Sequence, residues 1–152
     1  MANQGHDIEI ERLPMMAYPA DPAAGAEFSY TVPAGYVLRL YGFGLGLTTS
    51  ADAANRGVVM TIVTPGGKTL QRCPVTGTFA NQTASRGNYY NFLVGIAASD
   101  AGDQVDRQAL LADNLWLPAG TVISTTTTNL DSAAPTDQYT CTYWIGRLVN
   151  LK

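Results

Sequence analysis

The stretch that decides the fold is YVLRLYGFGLGL, residues Tyr36–Leu47. Alternate side chains of a strand face opposite sides, so Leu38 and Leu40 share one face and Arg39 lies on the other. Later in the stretch the apolar residues fall on the opposite parity, at Phe43, Leu45 and Leu47. A strand can keep its apolar side chains on one face across such a change only if one extra residue is inserted. The stretch therefore predicts a long strand with a β-bulge near Tyr41–Gly42.

The second half of this strand alternates apolar residues with glycine, at Gly42, Gly44 and Gly46. Glycine has no side chain, so one face of the strand is bare and another backbone can approach it closely. Two interpretations follow: a bend at a corner of the sheet, which we favour, or a contact surface for a partner protein. All three glycines are therefore candidate interface residues.

The tripeptide Pro-Ala-Gly precedes two predicted strands, in TVPAGYVLRL at residues 31–40 and in LWLPAGTVISTTTT at residues 115–128. Proline has no N–H and marks the first residue or the edge of a strand. Glycine two residues later permits a positive φ in the turn. Each tripeptide predicts a corner before a buried strand, and two such corners suit a doubled Greek-key arrangement.

The rest of the chain has the pattern of further short strands separated by turn residues. The predicted strands number about eight: Glu27–Val32, Tyr36–Leu47, Val58–Thr64, Leu70–Val75, Tyr89–Ile96, Leu115–Leu117, Thr121–Thr128 and Tyr139–Val149. Their spacing predicts an all-β fold, a jelly-roll or Greek-key β-sandwich. One segment, residues 101–112, has weak helical spacing and is interpreted as a helix or as a loop leading into a strand.

Residues 1–25 are interpreted as an N-terminal arm, and residues 26–152 as a single β-sandwich domain. The arm begins with strict alternation of acidic and apolar residues over residues 7–11, and an apolar segment broken by proline follows. Such an arm either adds to the sheet edge of a neighbouring subunit or pairs within its own sheet. Its apolar residues are candidate interface residues: Ile8, Ile10, Leu13, Met15, Met16 and Tyr18.

Charge is scarce in this chain. Charged residues make up 14% of the 152 residues, and the formal net charge is −3. Nucleic-acid binding needs clustered Lys and Arg, and the 9 basic residues here are scattered, so no nucleic-acid partner is expected. With no transmembrane-length apolar run and no signal-peptide core, we expect no membrane binding and folding in a cytoplasm. The neutral composition is typical either of a protein packed against a partner or of a plain low-charge β domain.

The sequence carries little that points to catalysis. Its single histidine, His6, lies near the start, where it is poorly placed as the base of a serine or cysteine nucleophile. No P-loop, GxSxG or dinucleotide-binding glycine motif is present. Asp100, Asp103 and Asp106 recur at every third residue, which does not match the alternate spacing of an EF-hand loop. We therefore expect a protein that is not an enzyme and has no cofactor and no metal.

Two further features leave alternatives open. Five aromatic residues have the chemistry to stack on sugars: Tyr89, Tyr90, Trp116, Tyr143 and Trp144. Adjacent residues of a strand point to opposite faces, so at least one member of each adjacent pair is expected in the core. Cys73 and Cys141 are the only cysteines; a reducing cytoplasm favours two buried thiols, and the sequence leaves their pairing open.

A short, nearly neutral chain with paired Pro-Ala-Gly corners, a Thr-rich second half and no catalytic set resembles the jelly-roll decoration (cement) proteins of tailed bacteriophage capsids. The resemblance covers the whole chain in style. It implies a virion structural protein that binds the major capsid protein lattice, stabilises the shell and forms a homotrimer or homodimer. Its location would be the capsid surface, after assembly in the host cytoplasm. The alternative is a receptor- or glycan-binding module of a phage tail or fibre.

Overall fold

The structure is a computed structural model that describes residues 15–17, 19–50, 56–74, 87–93, 100–101, 104–110, 115–130 and 137–151. The described residues form eleven strands in two sheets. The larger sheet contains β1 (Met15–Ala17), β3 (Tyr36–Thr48), β6 (Gly87–Leu93), β7 (Asp100–Ala101), β8 (Gln104–Leu110), β9 (Leu115–Pro118) and β11 (Gln138–Asn150). The smaller sheet contains β2 (Ser29–Thr31), β4 (Val58–Val63), β5 (Thr69–Pro74) and β10 (Val122–Thr127).

The two sheets form an all-β sandwich, as the sequence predicts. Strand order in the larger sheet is β1-β11-β3-β6-β8-β7, and β9 pairs with the first part of β3. Strand order in the smaller sheet is β2-β10-β4-β5. Every pair is antiparallel among the described strands except β6 with β8, which is parallel. That pair departs from the antiparallel pattern of a jelly roll.

The β-bulge predicted in β3 is present. In the pairing of β3 with β11, Ile145 lies opposite Gly42, and the next residue, Gly146, lies opposite Leu40. Tyr41 is therefore the extra residue, which β11 does not match. The insertion reverses the side-chain parity of β3 at this point, so the apolar residues on either side of it face the same core.

The two Pro-Ala-Gly corners adopt the same turn. Gly35 and Gly120 have φ angles of +80° and +81°, which glycine adopts without strain. In each turn the proline carbonyl accepts a hydrogen bond from the N–H of the residue after glycine, at 3.2 and 3.0 Å respectively. The corners also bond to each other, because Gly120 donates its N–H to the Val32 carbonyl at 2.9 Å. The tripeptides therefore fix where β3 and β10 begin.

The core lies between the two sheets and is apolar. The larger sheet contributes two leucines before the bulge and three apolar residues after it, all at 1% exposure or less: Leu38, Leu40, Phe43, Leu45 and Leu47. The smaller sheet contributes Val58, Met60, Ile62 and Ile123. The rings of Phe28 and Phe43 lie 5.2 Å apart, within the range of favourable aromatic pairs. The core positions of the central strand are therefore those that the parity change predicts.

The helical interpretation of residues 101–112 is wrong. β7 ends at Ala101, and Gln104–Leu110 forms β8. β8 pairs in register with β6 from Val105, opposite Asn88, to Leu110, opposite Leu93. Backbone pairing in the sheet overrides a weak local preference. The predicted count of about eight strands is low because β1, β7 and β8 carry weak strand signals.

Candidate functional site: an exposed patch on the larger sheet

A buried polar cluster is centred on Asp137, the residue before β11. Its carboxylate accepts hydrogen bonds from the Ser50 N–H at 2.7 Å and from Arg56 Nε at 2.6 Å. Its main-chain carbonyl accepts the Gly25 N–H at 2.7 Å. Both side chains of the ion pair are fully buried, and Arg56 Nη2 also donates to Ser50 Oγ at 3.0 Å. The cluster joins four segments of the chain, so its role is architectural.

A second polar cluster surrounds the carboxylate of Glu27. The hydroxyl groups of Thr125 and Thr127 donate to it at 2.7 and 3.1 Å, and the Thr127 N–H donates at 2.5 Å. The Thr127 hydroxyl is also hydrogen-bonded to the Tyr139 hydroxyl. The Phe28 N–H donates to Thr125 Oγ1 at 2.9 Å. These bonds tie the segment before β2 to β10 and β11.

Removal of the Tyr139 hydroxyl tests this cluster. Burial, and secondarily the negative charge of Glu27, raise the pKa of Tyr139 above its ordinary value of 10.0. A raised folded-state pKa stabilises the protein below the unfolded-state pKa, and this stabilisation is lost as pH rises through the folded-state value. We expect Tyr139→Phe to cost about 1 kcal/mol of unfolding free energy at pH 7.

The pH dependence supplies the control for that measurement. Above about pH 10, wild-type stability should fall more steeply than that of Tyr139→Phe, because only the wild-type chain gains an ionised Tyr139 on unfolding. Urea denaturation of both proteins from neutral pH to about pH 11 measures the two slopes. Parallel slopes would contradict the burial of this hydroxyl.

The solvent-facing side of the larger sheet carries a patch of different composition. Leu38, Leu117 and Leu148 point into the core or pack against it. The residues next to them in their strands therefore point outward, and their side chains are exposed or half-buried. These six residues, together with Tyr41 next to buried Leu40, are called the outer patch: Val37, Arg39, Tyr41, Trp116, Pro118, Arg147 and Val149.

Strand register arranges most of the outer patch in two rows across β11, β3 and β9. The guanidinium row contains two arginines and an indole: Arg147, Arg39 and Trp116. The apolar row lies two residues further along the strands: Val149, Val37 and Pro118. Two residues of an antiparallel strand span about 6.8 Å. The patch therefore places the positive charge of the guanidinium row beside the apolar row.

Trp116 and Arg39 form the centre of the outer patch. Trp116 is 52% exposed, although a side chain of its size is usually more buried. Arg39 Cζ lies 5.1 Å from the ring centroid of Trp116 and 4.9 Å from that of Tyr41. Both distances lie within the range of cation–π attraction. One guanidinium group therefore holds two aromatic rings at the surface of the sheet.

The N-terminal candidate residues are described only in part. Met15 and Met16 lie in β1, which pairs with β11 of the same chain, opposite Gly146 and Ile145. For this segment the structure shows pairing within its own sheet, one of the two interpretations of the sequence. The other candidates of the arm lie outside the described residues: Ile8, Ile10, Leu13 and Tyr18.

The glycine candidates of β3 are not part of the outer patch. Gly42, Gly44 and Gly46 are buried, in a segment flanked by β11 along one edge and β6 along the other. They therefore expose almost no area to a partner. The interpretation of a bend at this place agrees with the bulge at Tyr41.

Sequence patterns alone did not single out Arg39, Tyr41 and Arg147 as site residues. The alternation in β3 did place Arg39 on the outward face, and Trp116 was a candidate for sugar stacking. The sequence does not show how β9 and β11 are aligned with β3. That alignment places Arg39 next to Trp116 and Arg147, which are distant from it in sequence. A signal that would have helped is the recurrence of arginine and aromatic residues at outward-facing positions of predicted neighbouring strands.

The described residues contain no group of three or more His, Cys, Asp or Glu that could hold a metal ion. In the same part of the chain no helix has the length and apolar character needed to cross a membrane. Cys73 is a buried thiol of β5. Burial raises its pKa above the usual range, so it stays protonated and a poor nucleophile at neutral pH. Cys141 lies in β11.

The chain matches no protein-family model and no curated protein sequence. Its overall shape is similar to that of a chain in the structure of infectious bursal disease virus Gt strain. The two share 15% sequence identity with a TM-score of 0.38. The alignment covers 97% of this chain and 36% of the viral chain, so this chain spans little more than a third of that one. The assignment of a β-sandwich comes from the strands of this chain itself.

Proposed function

We propose that this chain is a virion structural protein of the decoration type, which binds the lattice of a major capsid protein and stabilises the shell. The observation that carries the proposal is the outer patch. Trp, Tyr and Arg are the residues most enriched at the energetic centres of protein interfaces, and here they meet on a rigid sheet. A role in binding another protein explains an exposed indole that folding alone does not require.

The surface of the smaller sheet gives further support. In three of its four strands, β2, β4 and β10, the outward-facing residues are all uncharged: Ser29, Thr31, Val59, Thr61, Val63, Val122, Ser124 and Thr126. We call them the neutral face. Uncharged groups lose less hydration free energy than charged groups when a neighbour covers them. A protein that exposes the neutral face on one sheet and the outer patch on the other is suited to lie between other subunits.

Repetition by symmetry supplies the strength of the proposed attachment. Stable protein interfaces bury roughly 1,200–2,000 Å² in total, which a sandwich of this size can provide with one sheet face and the adjoining loops. If the chain forms a homotrimer or homodimer, each oligomer binds several lattice sites at once, and modest contacts add up to high avidity. The free energy of these contacts must be overcome before the shell comes apart, so the bound chain makes the shell more resistant to dissociation.

Fractionation of virus particles tests this function. Particles of the virus that encodes the chain are separated on a density gradient, and the chain is detected with an antibody. We expect it to migrate with the shells, and we expect shells lacking it to lose integrity at a lower temperature. If the chain remains with the soluble proteins at the top of the gradient, the proposal is wrong.

A glycan-binding module of a tail or fibre is the second candidate, because Trp116 is exposed and held by Arg39. Sugars stack on such rings, and their hydroxyl groups accept hydrogen bonds from arginine. This function predicts saturable binding to a glycan array that Trp116→Ala removes while the thermal unfolding midpoint stays unchanged. A uniformly flat response of the wild-type chain would eliminate it.

A further inference from the structure

The guanidinium row brings two like charges together. Arg39 and Arg147 lie directly opposite each other on adjacent antiparallel strands, where Cβ atoms are about 5 Å apart. Like charges in this position are destabilising. The described members of the outer patch include no carboxylate. Two neighbouring guanidinium groups offer several N–H donors in one place to an anionic group of a partner.

The geometry of Arg39 leaves it able to bind such a group. Its Cζ lies over the rings of Tyr41 and Trp116, and the hydrogen bonds of a guanidinium leave in its plane. Arg39 and Arg147 each make a further interaction within the chain. A guanidinium has five N–H donors, so an intrachain contact leaves others for a carboxylate.

The apolar row decides what kind of anion fits. Phosphates of a nucleic acid would meet the guanidinium row but would leave Val37, Val149 and Pro118 against a charged backbone. A second copy of this patch, related by twofold symmetry, would bring no carboxylate to the arginines, because the seven residues of the patch include none. A protein segment with a carboxylate next to an apolar side chain satisfies both rows. Their separation of about 6.8 Å is the distance between residues i and i+2 of an extended chain.

We propose that the outer patch is the docking site for an acidic, extended segment of the lattice protein. Its carboxylates pair with Arg39 and Arg147, and an apolar side chain two residues away packs on the apolar row beside Trp116. This inference rests on the proposed function and names the surface and the partner chemistry that carry it. Charge complementarity sets the register of the contact, and burial of the indole supplies much of its strength.

Charge reversal at Arg147 is the first arm of the test. The probe is purified shells stripped of this chain and treated with nuclease, and the dissociation constant is measured by sedimentation. We expect Arg147→Glu to raise the dissociation constant about thirtyfold at low salt and less at high salt. Arg147→Lys should have an intermediate effect, because it keeps the charge but not the planar fork. The matched control is Arg72→Glu in β5, an exposed residue of the smaller sheet, which should change binding less than about threefold.

Removal of the indole is the second arm. Trp116→Ala should raise the dissociation constant about thirtyfold, and Leu70→Ala, which alters a residue 50% exposed against 52% for Trp116, should change it less than about threefold. All variants alter exposed or half-buried side chains, so each should still unfold cooperatively, and circular dichroism checks that each variant is folded. If the wild-type chain binds but Arg147→Glu and Arg72→Glu have equal effects, or Trp116→Ala has none, this inference is wrong and the proposed function stands. Loss of wild-type binding after nuclease treatment would also overturn it, in favour of a nucleic-acid contact.

Discussion

Deletion of Tyr41 should abolish folding, whereas Tyr41→Ala should not. Tyr41 is the extra residue of β3 at the bulge, between the partners of Ile145 and Gly146. Without Tyr41, the second half of β3 keeps its pairing with β6 only if the first half shifts by one residue, which turns each of its side chains to the opposite face. Leu38 and Leu40 would then face solvent, and Arg39 would enter the core. Each buried leucine lost costs about 2.7–5 kcal/mol, so the total approaches the 5–15 kcal/mol that holds an average domain together.

The point substitution is the matched control for this deletion. Tyr41→Ala keeps the residue count and therefore the bulge, and it removes only a half-buried ring next to Arg39. We expect it to cost less than about 2 kcal/mol. Circular dichroism and urea denaturation of both variants give the comparison. A deletion variant that unfolds cooperatively near the wild-type midpoint would show that the parity change does not determine the fold.

Asp137→Ala should produce the second large loss of stability. The substitution leaves the fully buried Arg56 without its counter-ion and removes the acceptor of the Ser50 N–H. Breaking a buried pair from one side typically costs about 3–5 kcal/mol, because an uncompensated charge remains inside the protein. Urea denaturation should show this difference in unfolding free energy. The exposed carboxylate of Asp21 is the control, and Asp21→Ala should cost below about 1 kcal/mol.

A double variant separates the charge from the packing. Arg56→Met with Asp137→Asn removes both charges and keeps a side-chain oxygen for the Ser50 N–H. Replacing both members of a buried pair is often close to neutral. We therefore expect the double variant to be more stable than Asp137→Ala alone. A double variant that loses more stability than Asp137→Ala would mean that the ion pair itself stabilises the sandwich.

The features of the fold that were predictable from the sequence are local. The bulge follows from the positions of six apolar and charged residues within one strand, and the corners follow from the φ restrictions of proline and glycine. The strand character of residues 104–110 was not predictable, because it depends on pairing with β6 and not on local periodicity. The ion pair of Arg56 with Asp137 joins residues 81 positions apart, and no local pattern indicates which arginine enters the core.

The candidate site shows the same division. The alternation in β3 places Arg39 outward, and the alternation in β9 does the same for Trp116. Their contact depends on β9 pairing with the first half of β3 while β6 pairs with the second half. The change of partner from β9 to β6 along this edge of β3 occurs at Tyr41. The residue that forms the bulge therefore also positions the outer patch. The predicted interface residues Gly42, Gly44 and Gly46 lie in the second half of β3, which pairs with β6, and they are buried.

An electron-microscopy reconstruction of the native particle tests the central claim most directly. We expect density for this sandwich on the shell, with β9 and the outer patch facing an acidic segment of the capsid protein. A particle without this density would contradict the proposed function. A sandwich bound to the shell with Trp116 facing solvent, and the neutral face against the capsid protein, would contradict the assigned docking surface.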